Sequence, residues 1–115
     1  MSSRRMTPGA VYYVPNFPYE DGTPGDERPG LFLGYKTIDG KNLMLFLKVT
    51  THPHITREPI NTQLLHGPGL KNIPSYVQCD WQFPAPDNTK IGRYRGQVNP
   101  SDLIRILTKY RSYHM

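Results

Sequence analysis

An Asp39-Gly40 dipeptide stands between two apolar runs, Leu31-Phe32-Leu33-Gly34-Tyr35 and Leu43-Met44-Leu45-Phe46-Leu47-Lys48-Val49-Thr50. Asp-Gly tolerates the positive φ angles that a two-residue hairpin turn demands. The chain is therefore built around an antiparallel strand pair. The second run is nearly all apolar, so its centre is buried on both faces, or one face is covered by a helix or a partner.

Other segments fit around that hairpin. Val11-Tyr12-Tyr13-Val14 lies between Pro8-Gly9 and Pro15-Asn16 and reads as a strand over residues 10–14. Residues 15–30 hold four prolines and three glycines and read as a loop. Residues 51–74 show no sustained period. A structureless stretch of that length is unusual, so a short strand over 55–60 or a helical turn over 62–65 is expected there. Residues 75–81 alternate, with Val77, Cys79 and Trp81 on the side that reads as core. Pro84 and Pro86 are expected to end that strand. Residues 90–98 read as another strand, broken at Gly92 or Gly96. At the C-terminus Asn99 can cap a helix, Pro100 suits its first position and Asp102 lies in its first turn. Leu103, Ile106, Leu107 and Tyr110 share one face of that helix, with Ile104 beside them.

A chain of 115 residues argues for one domain, here residues 1–115 with a flexible lead over 1–7. The expected fold class is mainly β (α+β): a small antiparallel barrel of five to seven strands with a C-terminal α-helix. With 12 prolines and 10 glycines the chain favours short strands and many loops over collagen or low-complexity disorder. No apolar run has the length of a membrane span, so no membrane association is expected. Arg4-Arg5 has no apolar stretch behind it, which argues against a signal peptide. Cys79 is the single cysteine, so neither a disulfide scaffold nor a multi-cysteine zinc site can form within one chain. A reducing, cytoplasmic location is the expectation.

The formal net charge is +5. Lys90, Arg93, Arg95, Arg105, Lys109 and Arg111 crowd the last part of the chain, opposed there only by Asp102. A basic end fits a polyanionic partner such as RNA or DNA, with ordinary solubilising charge as the alternative. The 8 tyrosines outnumber the 4 phenylalanines. Tyrosine beside arginine suits wet interfaces, including stacked single-stranded RNA. His52, His54 and His66 have no acidic or cysteine ligand near them in sequence, so no metal site is expected. No glycine-rich phosphate loop, Ser-His-Asp order or Cys-His pair is visible, and no cofactor is expected.

The order of several motifs resembles the MazF/PemK (Kid) family of toxin endoribonucleases over roughly residues 8–110. These are Pro8-Gly9-Ala10-Val11-Tyr12-Tyr13, then Glu27-Arg28-Pro29-Gly30-Leu31-Phe32-Leu33, and Val49-Thr50-Thr51 at a strand end. Gly69-Leu70-Lys71-Asn72-Ile73-Pro74-Ser75-Tyr76-Val77-Gln78-Cys79-Asp80 comes next, and then the closing strand and helix from Ile91 to Tyr110. The resemblance implies an SH3-like barrel and metal-independent cleavage of single-stranded RNA. It also implies a homodimer and an antitoxin peptide or protein as partner.

In such chemistry a substrate 2′-hydroxyl attacks its own phosphodiester, which calls for a base, a cation and an acid. The resemblance puts Arg28 in the cation's place, Thr50 on the scissile phosphate and Asp80 in an acid or base role. Thr51, His52, His54, Gln78, Arg93 and Arg95 are the expected RNA-binding residues around them. Kid-type members carry arginine where this chain has Gln78, and a further basic residue after the aspartate, where this chain reads Trp81-Gln82-Phe83-Pro84. Glutamine supplies neither charge nor a transferable proton, and His52 or His54 could substitute. The alternative is a non-catalytic barrel of the same type, binding RNA or a protein as CcdB-like inhibitors do. Each residue also has a structural alternative. Arg28 could pair with Asp26, and Asp80 with Arg93 or Arg95. Thr50 could simply end a strand, and Trp81 could be core.

Overall fold

A computed structural model describes residues 6–66 and 73–114. Seven strands and one helix follow in order: β1 (Ala10–Val14), β2 (Arg28–Ile38), β3 (Lys41–Thr50), β4 (Arg57–Ile60), β5 (Ser75–Gln78), β6 (Phe83–Pro86), β7 (Tyr94–Gln97) and α1 (Pro100–His114). One turn of 3-10 helix, Thr62–Leu64, follows β4. The chain is mainly antiparallel β with one C-terminal helix, and seven strands is the upper end of the expected range.

The central hairpin is the one the sequence marks. Asp39 and Gly40 both have positive φ, 52° and 76°, as a primed turn between twisted strands requires. The strand order is β4-β5-β3-β2-β1-β7. One edge of β3 pairs with β2, and the other edge is shared. β6 takes its first half, with Met44 opposite Ala85, and β5 takes its end, with Thr50 opposite Tyr76. The ladder does not close into a complete barrel. Its ends approach through an isolated bridge between Leu65 and Gly96. Gly96 has φ 142°, and a Cβ there would lie 2.1 Å from the Leu64 carbonyl oxygen. Only glycine lets the two backbones come this close.

The residues of β3 explain why the middle of this sheet is apolar throughout. Leu47 and Val49 face one cluster with Val11, Leu31, Ile60, Leu65, Val77, Cys79, Val98 and Ile106. Met44 and Phe46 face a second cluster with Tyr12, Val14, Phe17, Phe32 and Ala85. Helix α1 covers the first face through Ile106, with Leu103 and Tyr110 packed beside it. The loop after β1 covers part of the second, where Phe17 stacks against Phe83 and Trp81 at centroid distances of 5.2 and 6.0 Å. The apolar run is thus buried on both faces within a single chain, and it calls for no second copy.

Helix α1 starts as expected, with the Asn99 side chain accepting from Asp102 N at 2.7 Å. Asp102 is itself buried and accepts from Asn61 N at 3.0 Å, which ties the helix to the end of β4. Glu58 on β4 holds Arg105 at 2.8 Å and Lys109 at 3.1 Å. Ile104, placed beside the apolar face in the sequence reading, is 65% exposed.

Of the lead over 1–7, residues 1–5 lie outside the described residues, and Met6 is buried in the second cluster. Three expectations are corrected. Residues 28–30, read as loop, begin β2, because they pair with Tyr12, Tyr13 and Val14 of β1. Pro84 and Pro86 do not end a strand; they belong to β6. They are two residues apart on an edge strand, so both missing N–H groups fall on the same side, away from β3. Trp81 leaves the alternation. Val77 and Cys79 enter the first cluster, but the chain then steps from β5 to β6 and Trp81 packs on the second.

Candidate functional site

The second face of the sheet changes character along β3. Phe46 is sealed beneath Phe17, but the next residue on that face is Lys48 and the one after is Thr50. Here the sheet opens into a cleft of about 350 Å³ lined by Tyr13, Glu27, Arg28, Lys48, Thr50, Thr51 and His52, among others. Strand register decides this grouping. Gly30 pairs with Lys48, and the same register carried two residues on sets Arg28 beside Thr50.

Among the described residues the Arg28 guanidinium has no hydrogen bond or ion pair, so the pairing with Asp26 is not formed. Thr50 Oγ1 accepts from His52 N at 3.4 Å, which leaves its own proton for an acceptor in the cleft. Lys48 is half-buried, with its ammonium 5.3 Å from the centre of the Tyr19 ring. Burial holds its pKa below the usual lysine range. The charges of Arg28 and Arg57 add to this, and Glu20 partly offsets them.

Of the sequence-derived candidates, Arg28, Thr50, Thr51 and His52 come together around the cleft. The others do not join them. Asp80 is outside the lining and accepts from Gln78 Nε2 at 3.0 Å. The same amide nitrogen donates to Glu20 at 2.6 Å, so Gln78 holds two carboxylates and is itself buried. His54 turns away and shares a proton with Thr56 at 3.0 Å. Arg93 is exposed at the entry to β7, where its carbonyl accepts from Tyr13 N.

Arg95, expected on the RNA-binding surface, is completely buried. A bulge explains this: Val11 pairs with Gly96 and Tyr12 with Tyr94, so Arg95 is the extra residue, turned inward. Its Nε donates to the His66 carbonyl at 2.6 Å, and its guanidinium sits 4.3 Å from the Tyr13 ring centre. Arg95 therefore braces one wall of the cleft from behind. The Gly69-Leu70-Lys71-Asn72 part of the fourth motif lies outside the described residues.

Three residues missing from the sequence-derived set belong to this region: Lys48, Arg57 and Glu20. Lys48 was legible as the one charge in an apolar strand. Arg57 and Glu20 carried no local signal, because only strand pairing and the fold of the loop bring them to Gln78. Cys79 offers no nucleophile, since burial pushes its thiol up to about 12. Among the described residues no three His, Cys, Asp or Glu side chains are grouped to hold a metal ion. Among the described residues no helix is long and apolar enough to cross a membrane. Compared with protein-family models and with curated protein sequences, the chain matches none.

Proposed function

We propose that the cleft binds the phosphate backbone of single-stranded RNA and cleaves it without a metal, as the resemblance to toxin endoribonucleases implies. The observation that carries this is the unpaired Arg28 guanidinium beside the Thr50 hydroxyl in a cleft walled by Tyr13. A guanidinium fork can hold two phosphate oxygens, a threonine hydroxyl can donate to a third, and a tyrosine ring offers a base a stacking surface.

In the reaction the substrate 2′-oxygen bonds to phosphorus and the P–O5′ bond breaks. The products are a 2′,3′-cyclic phosphate and a 5′-hydroxyl. Arg28 meets the charge that develops on the phosphorane, where a fixed cation contributes most. His52 lines the cleft and its imidazole can take the 2′-hydroxyl proton or return one to the leaving oxygen. It takes the role first assigned to Asp80, whose carboxylate is engaged by Gln78.

The test is incubation of purified protein with a broad mixture of single-stranded RNA in EDTA, followed by end-group analysis. Cleavage leaving cyclic phosphates, and lost in Arg28→Ala, is the expected result. A folded protein that cuts none of the mixture would refute it.

A second reading, binding without cleavage, is favoured by one feature. Gln78 stands where a cation would serve the chemistry, and its amide ties up both nearby carboxylates. On this reading a gel shift appears without products and is unchanged by Thr50→Ala.

A further inference from the structure

Two cations on the cleft's face of the sheet have no part in the chemistry at Arg28 and Thr50. They are Lys48 on β3 and Arg57 on β4. Arg57 pairs directly with Gln78 across β4 and β5. Val49 pairs with Val77 across β3 and β5, and one step back in that register sets Lys48 beside Gln78. Lys48, Gln78 and Arg57 therefore form one row across three strands, with neighbours about 5 Å apart. Directly opposed residues point to the same face, and Val77 and Cys79 point to the other, into the core. The row holding Arg28 and Thr50 lies two residues further along β3, about 7 Å away. An extended nucleic-acid strand places successive phosphates about that far apart.

We propose that Lys48 and Arg57, flanking Gln78, form a second phosphate subsite, one nucleotide along the RNA from the phosphate held at Arg28 and Thr50. The inference rests on the RNA reading above.

Several features support the subsite. Burial, and after it the charges of Arg28 and Arg57, depress the proton affinity of Lys48, with Glu20 partly offsetting them, so three like charges crowd one side of the sheet. A bound phosphate relieves that repulsion. Arg57 NH1 donates to the His52 carbonyl at 2.7 Å, but its Nε is buried without a hydrogen-bond partner among the described residues. Two carboxylates already stand at the row, Glu20 and Asp80, at 2.6 and 3.0 Å from Gln78 Nε2. Glu20 is carried on an exposed loop, and RNA bound at the row must displace it from the amide. Gln78 in place of an arginine fits the same arrangement. The charge stands on the neighbouring strands, and the central amide serves either anion as donor.

The experiment uses 2′-O-methyl RNA, which lacks the attacking hydroxyl. Mixed-sequence dinucleotides have one phosphate and mixed-sequence trinucleotides have two. Both are titrated against the wild-type protein and the variants Arg28→Gln, Lys48→Gln, Arg57→Gln and Glu20→Gln. Lys48→Gln and Arg57→Gln should each weaken trinucleotide binding about tenfold, the scale of one charge-assisted hydrogen bond. Arg57→Gln, outside the cleft lining, should leave the dinucleotide within about twofold, and Lys48→Gln should weaken it clearly less than the trinucleotide. Arg28→Gln should weaken both ligands, and Glu20→Gln should tighten the trinucleotide. With a longer 2′-O-methyl strand, each lost cation should reduce the salt slope by about 0.7.

If Lys48→Gln and Arg57→Gln leave the trinucleotide unaffected, or weaken both ligands equally, the subsite is wrong although the RNA reading survives. If the wild-type protein binds neither ligand nor the longer strand, the RNA reading itself fails. Thermal melting reports whether Arg57→Gln is folded. If it is not, Lys48→Gln decides alone, because that side chain is half-exposed and bears no hydrogen bond among the described residues.

Discussion

The two faces of the sheet solve the same packing problem in different ways. One face is covered by α1 through Ile106, Leu103 and Tyr110. Its apolar residues are buried, the Asp102 carboxylate in the first turn of α1 accepts from Asn61 N, and Glu58 pairs with two cations. The other face is closed only as far as Phe46, under the aromatic side chains of Phe17, Trp81 and Phe83. Beyond that point it carries Lys48, Thr50, Arg28, Gln78 and Arg57, with like charges close together. A protein gains stability by pairing such charges or moving them into solvent. The contrast separates a face packed for folding from one whose far end gathers cations around an open cleft.

The contrast can be broken most sharply at the boundary residue. Phe46→Ala removes a ring with no exposed surface and should cost about 3–5 kcal/mol, measured by denaturant unfolding. A loss under about 1 kcal/mol would mean that the second cluster is not a core. Four residues further along β3, in the row of Thr50, the effect should reverse in kind. Arg28→Ala should change stability by no more than about 0.5 kcal/mol and reduce the cleavage rate about 100-fold or more. Equal losses of stability and activity would return Arg28 to a structural role.

Smaller effects sharpen the description of the first face. Gly96→Ala forces a Cβ against the Leu64 carbonyl at a positive φ and should cost about 1–3 kcal/mol. It should also raise hydrogen exchange at His66 N, which donates to the Arg95 carbonyl at 2.6 Å. Glu58→Gln removes two partly exposed ion pairs and should cost about 1 kcal/mol or less, and that loss should shrink further in high salt.

Cys79 gives no effect at neutral pH and a pH dependence above it. Burial lifts its thiol from 9.0 to about 12, so the folded state keeps a proton that the unfolded chain releases. This contribution to stability is fully present below pH 9 and is lost as pH rises toward 12. At pH 8 the native protein should resist alkylation, and addition of denaturant should restore full reaction. Rapid native-state labelling would contradict the buried assignment.

Where a signal was local, the sequence was sufficient. The Asp39-Gly40 turn, strand β1, the 3-10 turn at 62–64 and the Asn99 cap each depend on a few neighbouring residues, and backbone sterics or one side-chain hydrogen bond decides them. Arg28, Thr50 and His52 were legible as residue types at strand ends, but their proximity was not. Antiparallel register brings residues from distant parts of the chain into one row, and no local pattern encodes that pairing. The same cause hid β6, because two prolines argue against a strand unless it lies at an edge. It hid the inward turn of Arg95, which depends on a bulge opposite β1.

The sequence by itself determined the antiparallel, mainly β class, the terminal helix and the basic character of the chain, because periodicity, turn chemistry and charge are properties of short segments. Only the tertiary structure decided which cations share a face. It set Lys48 and Arg57 on either side of Gln78, withdrew Arg95 into the interior and separated Asp80 from the cleft. Those outcomes follow from hydrogen-bond register between strands and from competition for burial, and both are settled across the whole chain at once.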